Sequence, residues 1–272
     1  MAQCPDLSSP YPLTAEQVSD FQRDGHILLR GVASSGEVAA WREELLAAVA
    51  CFDPETVPLA QRDTYGRAFL QRMNLWRRHD GARRFVFAER FAGIAARLLG
   101  VPAVRLYHDQ ALFKEPGGGF TPWHQDQHYW PLETDATITL WMPLVDADAA
   151  MGTMRFASGS HRDGYLGDLP ISDESEARLE QFVHERGYPL VPSQAMAAGD
   201  ASFHYGWTLH GAPGNATDRL REAMTIIYFA DGTRVGPVDN ANRRDDLDRG
   251  LVGLQPGDLA ASALNPVLFR AD

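Results

Sequence analysis

Apolar positions recur at two periods along this chain, and the switch between them divides it. Up to about residue 100 the spacing is helical. Thr14 with Gln17 forms a capping-box signature, Val18 and Phe21 follow on one side, and Gly25 is the stop. His26 to Arg30 reads as a short strand, with His26 structural. Ser34 or Ser35 caps a second helix, on which Val38, Trp41, Leu45, Leu46 and Val49 recur. Phe69 to Trp76 reads as extended, near a pocket. A further helix is expected from Arg83 to Leu99, burying Phe87, Phe91, Ile94, Ala95 and Leu98. Its basic start, Arg83 and Arg84, opposes the helix macrodipole, and Gly100 with Pro102 ends it.

From Val104 the period becomes two. Leu106, His108, Gln110, Leu112 and Lys114 share one face, and Tyr107, Asp109, Ala111 and Phe113 the other. Polar residues on both faces suit either an edge strand or a wall of a polar pocket. Strand runs recur at Thr137 to Leu144, Met151 to Phe156, Ala201 to Tyr205 and Glu222 to Phe229, separated by Gly/Pro turns. Residues 162–195 read as an insertion or lid with a helix from Asp173 to Arg186. Residues 231–250 read as a solvated acidic loop with a helical turn. With no βαβ rhythm, the pattern predicts a mainly β chain, an antiparallel barrel or jelly roll with helices on one outer side. No repeat or linker divides residues 1–272, so one domain is expected. In it, 14–103 is a helix-rich support, 104–232 the β core and 233–272 a C-terminal extension.

Composition narrows the class without changing that picture. The 272 residues are 44% hydrophobic and 22% charged, ordinary for a globular protein. A formal net charge of -11 argues against a nucleic-acid partner held through phosphates. The two cysteines, Cys4 and Cys51, suggest no disulfide scaffold. The N-terminus lacks a signal-peptide pattern and no apolar run is long enough to span a bilayer, so a cytoplasmic protein without a membrane partner is expected. Oligomeric state is left open.

The candidate chemistry lies in Thr121-Pro122-Trp123-His124-Gln125-Asp126-Gln127-His128. On a strand, His124 and Asp126 would face the same side. A second imidazole would complete a 2-His-1-carboxylate set of the kind used by non-haem Fe(II) oxygenases. His210 is the best candidate. His204, six residues earlier, is allowed by the same parity, and His161 competes but sits in a Ser/Gly turn. His-x-Asp alone is a weak signal. Arg221, leading into a core strand, can grip a carboxylate with its fork or simply pair with a nearby acid. Glu115 to Gly119 lacks the spacing of a phosphate-binding loop, and the acidic 231–250 stretch lacks EF-hand spacing.

Taken together these pieces resemble the phytanoyl-CoA dioxygenase family of Fe(II)/2-oxoglutarate-dependent oxygenases. The resemblance runs from about Thr14 to Gly232. It rests on Asp109-Gln110 through Lys114, Trp123-His124-Gln125-Asp126, Trp141 with Pro143-Leu144, Met151-Gly152 through Ser158-Gly159-Ser160-His161, Gly199-Asp200, and Leu209-His210-Gly211 through Asn215 and Arg221. It implies a double-stranded β-helix, cupin-like, with His124, Asp126 and His210 as iron ligands. Arg221, eleven residues after His210, is implied to bind the distal carboxylate of 2-oxoglutarate. Gln110, Thr121, Trp141 and Lys114 would line the cosubstrate pocket, and His128, Trp130 and Trp207 the substrate pocket. Fe(II), 2-oxoglutarate and O2 are the implied cofactor and cosubstrates. The implied reaction is hydroxylation of an unactivated carbon of a small organic molecule, in secondary-metabolite or antibiotic tailoring. Desaturation, epoxidation, cyclisation or stereoinversion are alternatives on the same cofactors. Related halogenases replace the aspartate, and Asp126 is present. Nothing in the sequence supports a coenzyme A handle. A non-catalytic cupin-like metal-binding or sensor protein is the reading from another class.

Overall fold

The computed structural model describes residues 4–271. In chain order these form α1 (Ala15–Asp24), β1 (His26–Leu29), α2 (Ser35–Val49), α3 (Thr64–Ala68), β2 (Leu70–Met73), α4 (Asp80–Val86), α5 (Glu89–Leu99), β3 (Ala103–Lys114), β4 (Thr121–His124), β5 (Thr137–Pro143), β6 (Arg155–Ala157), α6 (Asp173–Arg186), β7 (Leu190–Val191), β8 (Ala201–Tyr205), β9 (His210–Ala212), β10 (Arg221–Ala230), α7 (Ala241–Gly250) and β11 (Val267–Arg270). The strands make two antiparallel sheets. The larger has seven strands, in the order β1-β8-β5-β10-β3-β11 with β2 also on β3. The smaller has four, β4-β9-β6-β7.

The first two helices begin where their caps dictate. The Thr14 hydroxyl accepts the Gln17 backbone N–H while the Gln17 side-chain Oε1 accepts the Thr14 N–H, and Ser34 with Glu37 repeats the exchange. The single helix expected over 83–99 is two. Ala88, with ψ 120°, leaves the helical region between α4 and α5. Arg83 and Arg84 therefore lie in the last turn of α4 and Glu89 in the first turn of α5, so each charge suits its helix end. Residues 241–250, expected to hold only a helical turn, form the ten-residue α7. Among the described residues helical positions outnumber strand positions, so the expectation of a mainly β chain overstated the strands.

Alternation gives the larger sheet two unlike faces. Ile138, Leu140 and Met142 of β5, Phe203 of β8, and Met224, Ile226 and Tyr228 of β10 point outward. They meet Phe21, Trp41, Leu45, Phe85, Phe91 and Leu98 from α1, α2, α4 and α5 in the main core. The inward face carries Thr139, Trp141, His204, Arg221 and Thr225, and it borders a cavity. On β3 the expected parity fails below His108. A bulge pairs His108 with Ile227 but Leu106 with Tyr228. Leu106 thus joins the outer core, while Tyr107 turns inward to pack on Trp130 and Phe229.

Within the stretch expected as an insertion or lid, α6 packs beside β4. Leu179 and Val183 of α6 are buried against Trp123 and Leu209, and Glu176 accepts the Trp123 N–H at 2.6 Å. Cys4 and Cys51 are both free thiols. No helix among the described residues is long and apolar enough to cross a membrane.

One turn fixes how β8 enters the sheet. Gly199 has φ +94°, and a Cβ there would lie 2.1 Å from the Ala33 carbonyl oxygen. Gly199→Ala is expected to destabilise the protein by about 2–4 kcal/mol, combining backbone strain with a clash against main chain. Urea unfolding checks this, and unchanged stability would contradict the role given to the turn.

Candidate active site

β4 and β9 pair so that His124 and His210 are cross-strand partners. Their ring centroids are 4.1 Å apart. Asp126 is not on the strand with His124, as alternation had suggested. β4 ends at His124, Gln125 remains extended, and Asp126 opens a 3-10 turn. The turn still brings the carboxylate alongside. Asp126 Oδ1 lies 3.5 Å from His124 Nε2 and 3.6 Å from His210 Nε2. One ligand atom from each of the three residues falls within 4.8 Å of the others, a grouping able to hold a metal ion.

The imidazoles are prepared for that role. His124 Nδ1 is 2.8 Å from the Pro122 carbonyl oxygen, and His210 Nδ1 is 2.9 Å from that of Thr208. A carbonyl only accepts, so each Nδ1 carries a proton and each Nε2 is the nitrogen turned to where a cation would sit. Burial, with His124 and His204 close by, holds His210 well below the ordinary histidine range. Burial alone would raise the Asp126 carboxyl, but His210, His124 and His204 around it outweigh that and hold it well below the usual carboxylate range. Asp126 Oδ2 also accepts the Thr139 hydroxyl at 2.8 Å.

The triad opens into a cavity of about 410 Å³. Arg221, only 2% exposed, lines the same cavity. Its Nη1 donates to the Gly152 carbonyl at 2.7 Å and its Nη2 to that of Leu112 at 3.2 Å. Its Nε is buried without a partner, and its guanidinium lies 5.2 Å from the Trp141 ring centroid. Burial pushes Arg221 down to about 9, which leaves it charged near neutrality. A buried guanidinium held only by carbonyls, with a free N–H, is a place for an anion.

Of the other residues singled out from sequence, Gln110, Thr121, Trp141 and Trp130 line this cavity. Lys114, His128 and Trp207 do not. Lys114 Nζ donates to the Gly119 and Pro213 carbonyls and to the Thr121 hydroxyl, and burial with Arg221 nearby pushes it down to about 6. His128 Nε2 faces Asn242 and Asp168. The Trp207 indole donates to Asp135 and borders a second cavity together with His161, which takes no part in the triad.

Sequence reasoning passed over several lining residues. Tyr65 donates to Gln71 at 2.9 Å, Gln71 to Gln110 at 2.7 Å, and the Gln110 amide lies 3.0 Å from His108 Nε2. Burial lowers His108 to about 4, so it is neutral and accepts from that amide. His108 and Gln110 share a face of β3 and could have been read together. Gln71 lies in the stretch read as extended near a pocket, whereas Tyr65 carried no signal. Asp245, Asp246 and Arg249 of α7 border the outer cavity, where Asp246 accepts the Tyr107 hydroxyl.

Two imidazoles and one carboxylate on one side of a cavity suit Fe(II) with positions left open for other ligands, and the buried cation beside them suits an anionic cosubstrate. In kind, this is the cavity of a non-haem iron oxygenase. The pattern of the phytanoyl-CoA dioxygenase (PhyH) family matches residues 21–223, and the chain belongs to that family. It is a 2-oxoglutarate-dependent non-haem iron dioxygenase that uses Fe(II), 2-oxoglutarate and O2. Among solved structures it is similar to the carbocyclase SnoK from nogalamycin biosynthesis, at 27% identity and TM-score 0.75 over 95% of this chain and 99% of that one. It is also similar to the epimerase SnoN in complex with Fe3+, alpha ketoglutarate and nogalamycin RO, at 26% identity and TM-score 0.76 over 93% and 97%. A probable alpha-ketoglutarate-dependent hypophosphite dioxygenase of Stutzerimonas stutzeri is 26% identical over 79% of this chain and 78% of that protein.

Metal-free protein is expected to take up one divalent cation per chain in a calorimetric titration. His210→Ala should weaken that uptake by more than about 100-fold, beyond the usual effect of losing an outer-shell partner. Uptake unaffected by the substitution would place the cation elsewhere.

Proposed function

We propose that the enzyme hydroxylates an unactivated carbon of a small organic molecule, in the tailoring of a secondary metabolite, on a jelly-roll core formed by residues 104–232. In this reading His124, Asp126 and His210 hold Fe(II). Arg221, beside the Trp141 ring, receives the distal carboxylate of 2-oxoglutarate, with Thr121 and Gln110 alongside. The observation that carries it is the pairing, in one cavity, of three bare donor atoms with a buried guanidinium lacking an anion.

Bound iron supplies the oxidising chemistry, coupling decarboxylation of 2-oxoglutarate to succinate and CO2 with reaction of O2 at a substrate carbon. The chain's own residues do the rest. The two Nδ1–H···O=C bonds keep the imidazoles turned to the metal. Arg221 orients the cosubstrate, since its position is set by two carbonyls and a ring before anything binds. Tyr65, Phe69, Tyr129 and Trp130 give the outer cavity apolar and aromatic walls, which suit a ring-bearing substrate and exclude water from the reacting centre. No side chain is needed as a general base. Lys114, occupied by three oxygens, is better suited to hold the Gly119 and Pro213 loops beside Arg221 than to bind cosubstrate.

Stereoinversion or ring closure on the same cofactors is a second reading, favoured by the similarity to an epimerase and a carbocyclase. Product mass separates hydroxylation, which adds one oxygen, from ring closure, which removes two hydrogens. Inversion leaves the mass unchanged and is read by isotope labelling.

Fe(II) and 2-oxoglutarate added without oxygen should together give a weak visible charge-transfer band that neither gives alone. Asp126→Ala should abolish both the band and succinate release. Arg221→Gln should retain the metal but weaken 2-oxoglutarate by about 2–3 kcal/mol, the range for a hydrogen-bonded charge pair, or roughly 30–150-fold. A substituted protein that still turns over, with its metal content verified, would rule out the assignment.

A further inference from the structure

The two oxygens of Asp126 face different surroundings. Oδ1 is the atom nearest His124 Nε2 and His210 Nε2. Oδ2 accepts the Thr139 hydroxyl at 2.8 Å and lies 3.2 Å from His204 Nε2. Thr139 and His204 are cross-strand partners on β5 and β8. Their side chains therefore leave the larger sheet side by side and converge on one oxygen.

His204 is the third imidazole here, with its ring centroid 4.2 Å from that of His210, and it is 1% exposed. Its nitrogens distinguish it from a ligand. His124 and His210 each have Nδ1 on a carbonyl, which leaves Nε2 bare. His204 Nδ1 is buried with no partner. Nothing stabilises a proton there, whereas Nε2 faces a carboxylate oxygen. The proton accordingly sits on Nε2 and is donated to Oδ2, and a protonated nitrogen has no lone pair for a metal.

We infer that His204, together with Thr139, is a positioning residue that holds Asp126 by Oδ2 so that Oδ1 alone is presented to the metal. This rests on the assignment of Fe(II) to His124, Asp126 and His210. A carboxylate free to rotate can offer both oxygens and take up a position that a chelating cosubstrate needs. Two donors on one oxygen prevent that rotation. They come from adjacent strands of a packed sheet, where little side-chain motion is available.

The test uses the full metal-free chain and Co(II) as the probe. His204→Phe keeps a ring without a donor, His204→Gln restores an N–H, and Thr139→Val removes the second donor. His204→Phe is expected to weaken Co(II) uptake about 10–100-fold, the usual range for losing a group that orients a ligand. His204→Gln should recover most of that loss, and Thr139→Val should give a smaller loss in the same direction. Pulsed electron paramagnetic resonance of the Cu(II)-loaded parent should count two imidazoles. An unchanged affinity in His204→Phe, a loss that His204→Gln does not recover, or three imidazoles in the parent would each overturn the inference. Should His204→Phe fail to fold, Thr139→Val decides, because affinity equal to the parent's overturns the shared hold on Oδ2. A parent that takes up no Co(II) overturns the iron assignment as well. A parent that binds while His204→Phe matches it overturns this inference alone.

Discussion

The Asp126 carboxylate links the two sheets. His124 and His210 belong to the smaller sheet and meet across β4 and β9, whereas the donors on Asp126 Oδ2 come from β5 and β8 of the larger one. One side chain thus ties the metal-facing strands to the sheet that carries Arg221. A cavity between two sheets keeps its shape only if the sheets keep their separation, and apolar packing is unavailable across a polar gap. Hydrogen bonds to a charged acceptor supply a directional substitute, stronger than those between neutral groups.

That arrangement is possible because the larger sheet packs on one face alone. Its outward side chains are covered by α1, α2, α4 and α5, which frees the inward face to be polar. Burying Arg221 without an acid costs stability, as does burying Lys114 with only neutral oxygens around it. The main core offsets this through large side chains that are almost fully enclosed, among them Phe21, Phe85, Phe91 and Phe203. Glu222, next to Arg221 on β10, faces the other way and pairs with Arg42 of α2 at 2.5 Å. Adjacent residues of opposite charge on one strand thus serve different layers, and alternation keeps them from neutralising each other.

How much of this could be read beforehand depended on what set each feature. The capping boxes and the alternation of β5 and β10 are local, and they were legible. His124, Asp126, His210 and Arg221 were singled out because few residue types can do metal and carboxylate chemistry and their spacing matched a family. Three features depended on tertiary context and were not legible. The bulge at Tyr107 reverses parity within β3, and no residue there announces it. Lys114 shares a face with Gln110, yet its Nζ is taken up by the carbonyls of Gly119 and Pro213 and by the Thr121 hydroxyl. Residues 241–250 show no apolar stripe, and α7 buries none of its side chains fully. It is held instead by Asn242 and Arg243 on His128 and by Asp246 on Tyr107. His204 was an intermediate case: strand parity allowed it to face the cavity, but only its partners separate a donor from a ligand.

The two ends of the cavity are built from different material. At the inner end, Arg221, Trp141, His124 and His210 lie on hydrogen-bonded strands, and even Asp126, just beyond β4, is gripped from β5 and β8. At the outer end, Tyr65 comes from α3, Tyr129 and Trp130 from the turn after Asp126, Ile171 from the segment before α6, and Asn242, Asp246 and Arg249 from α7. Groups that orient a metal and its cosubstrate must hold their geometry closely, which paired strands allow. The remaining lining groups lie on connections and a polar helix, where substitutions disturb neither sheet ladder nor main core. In this fold the inner end can stay constant while the outer end is rebuilt for different molecules.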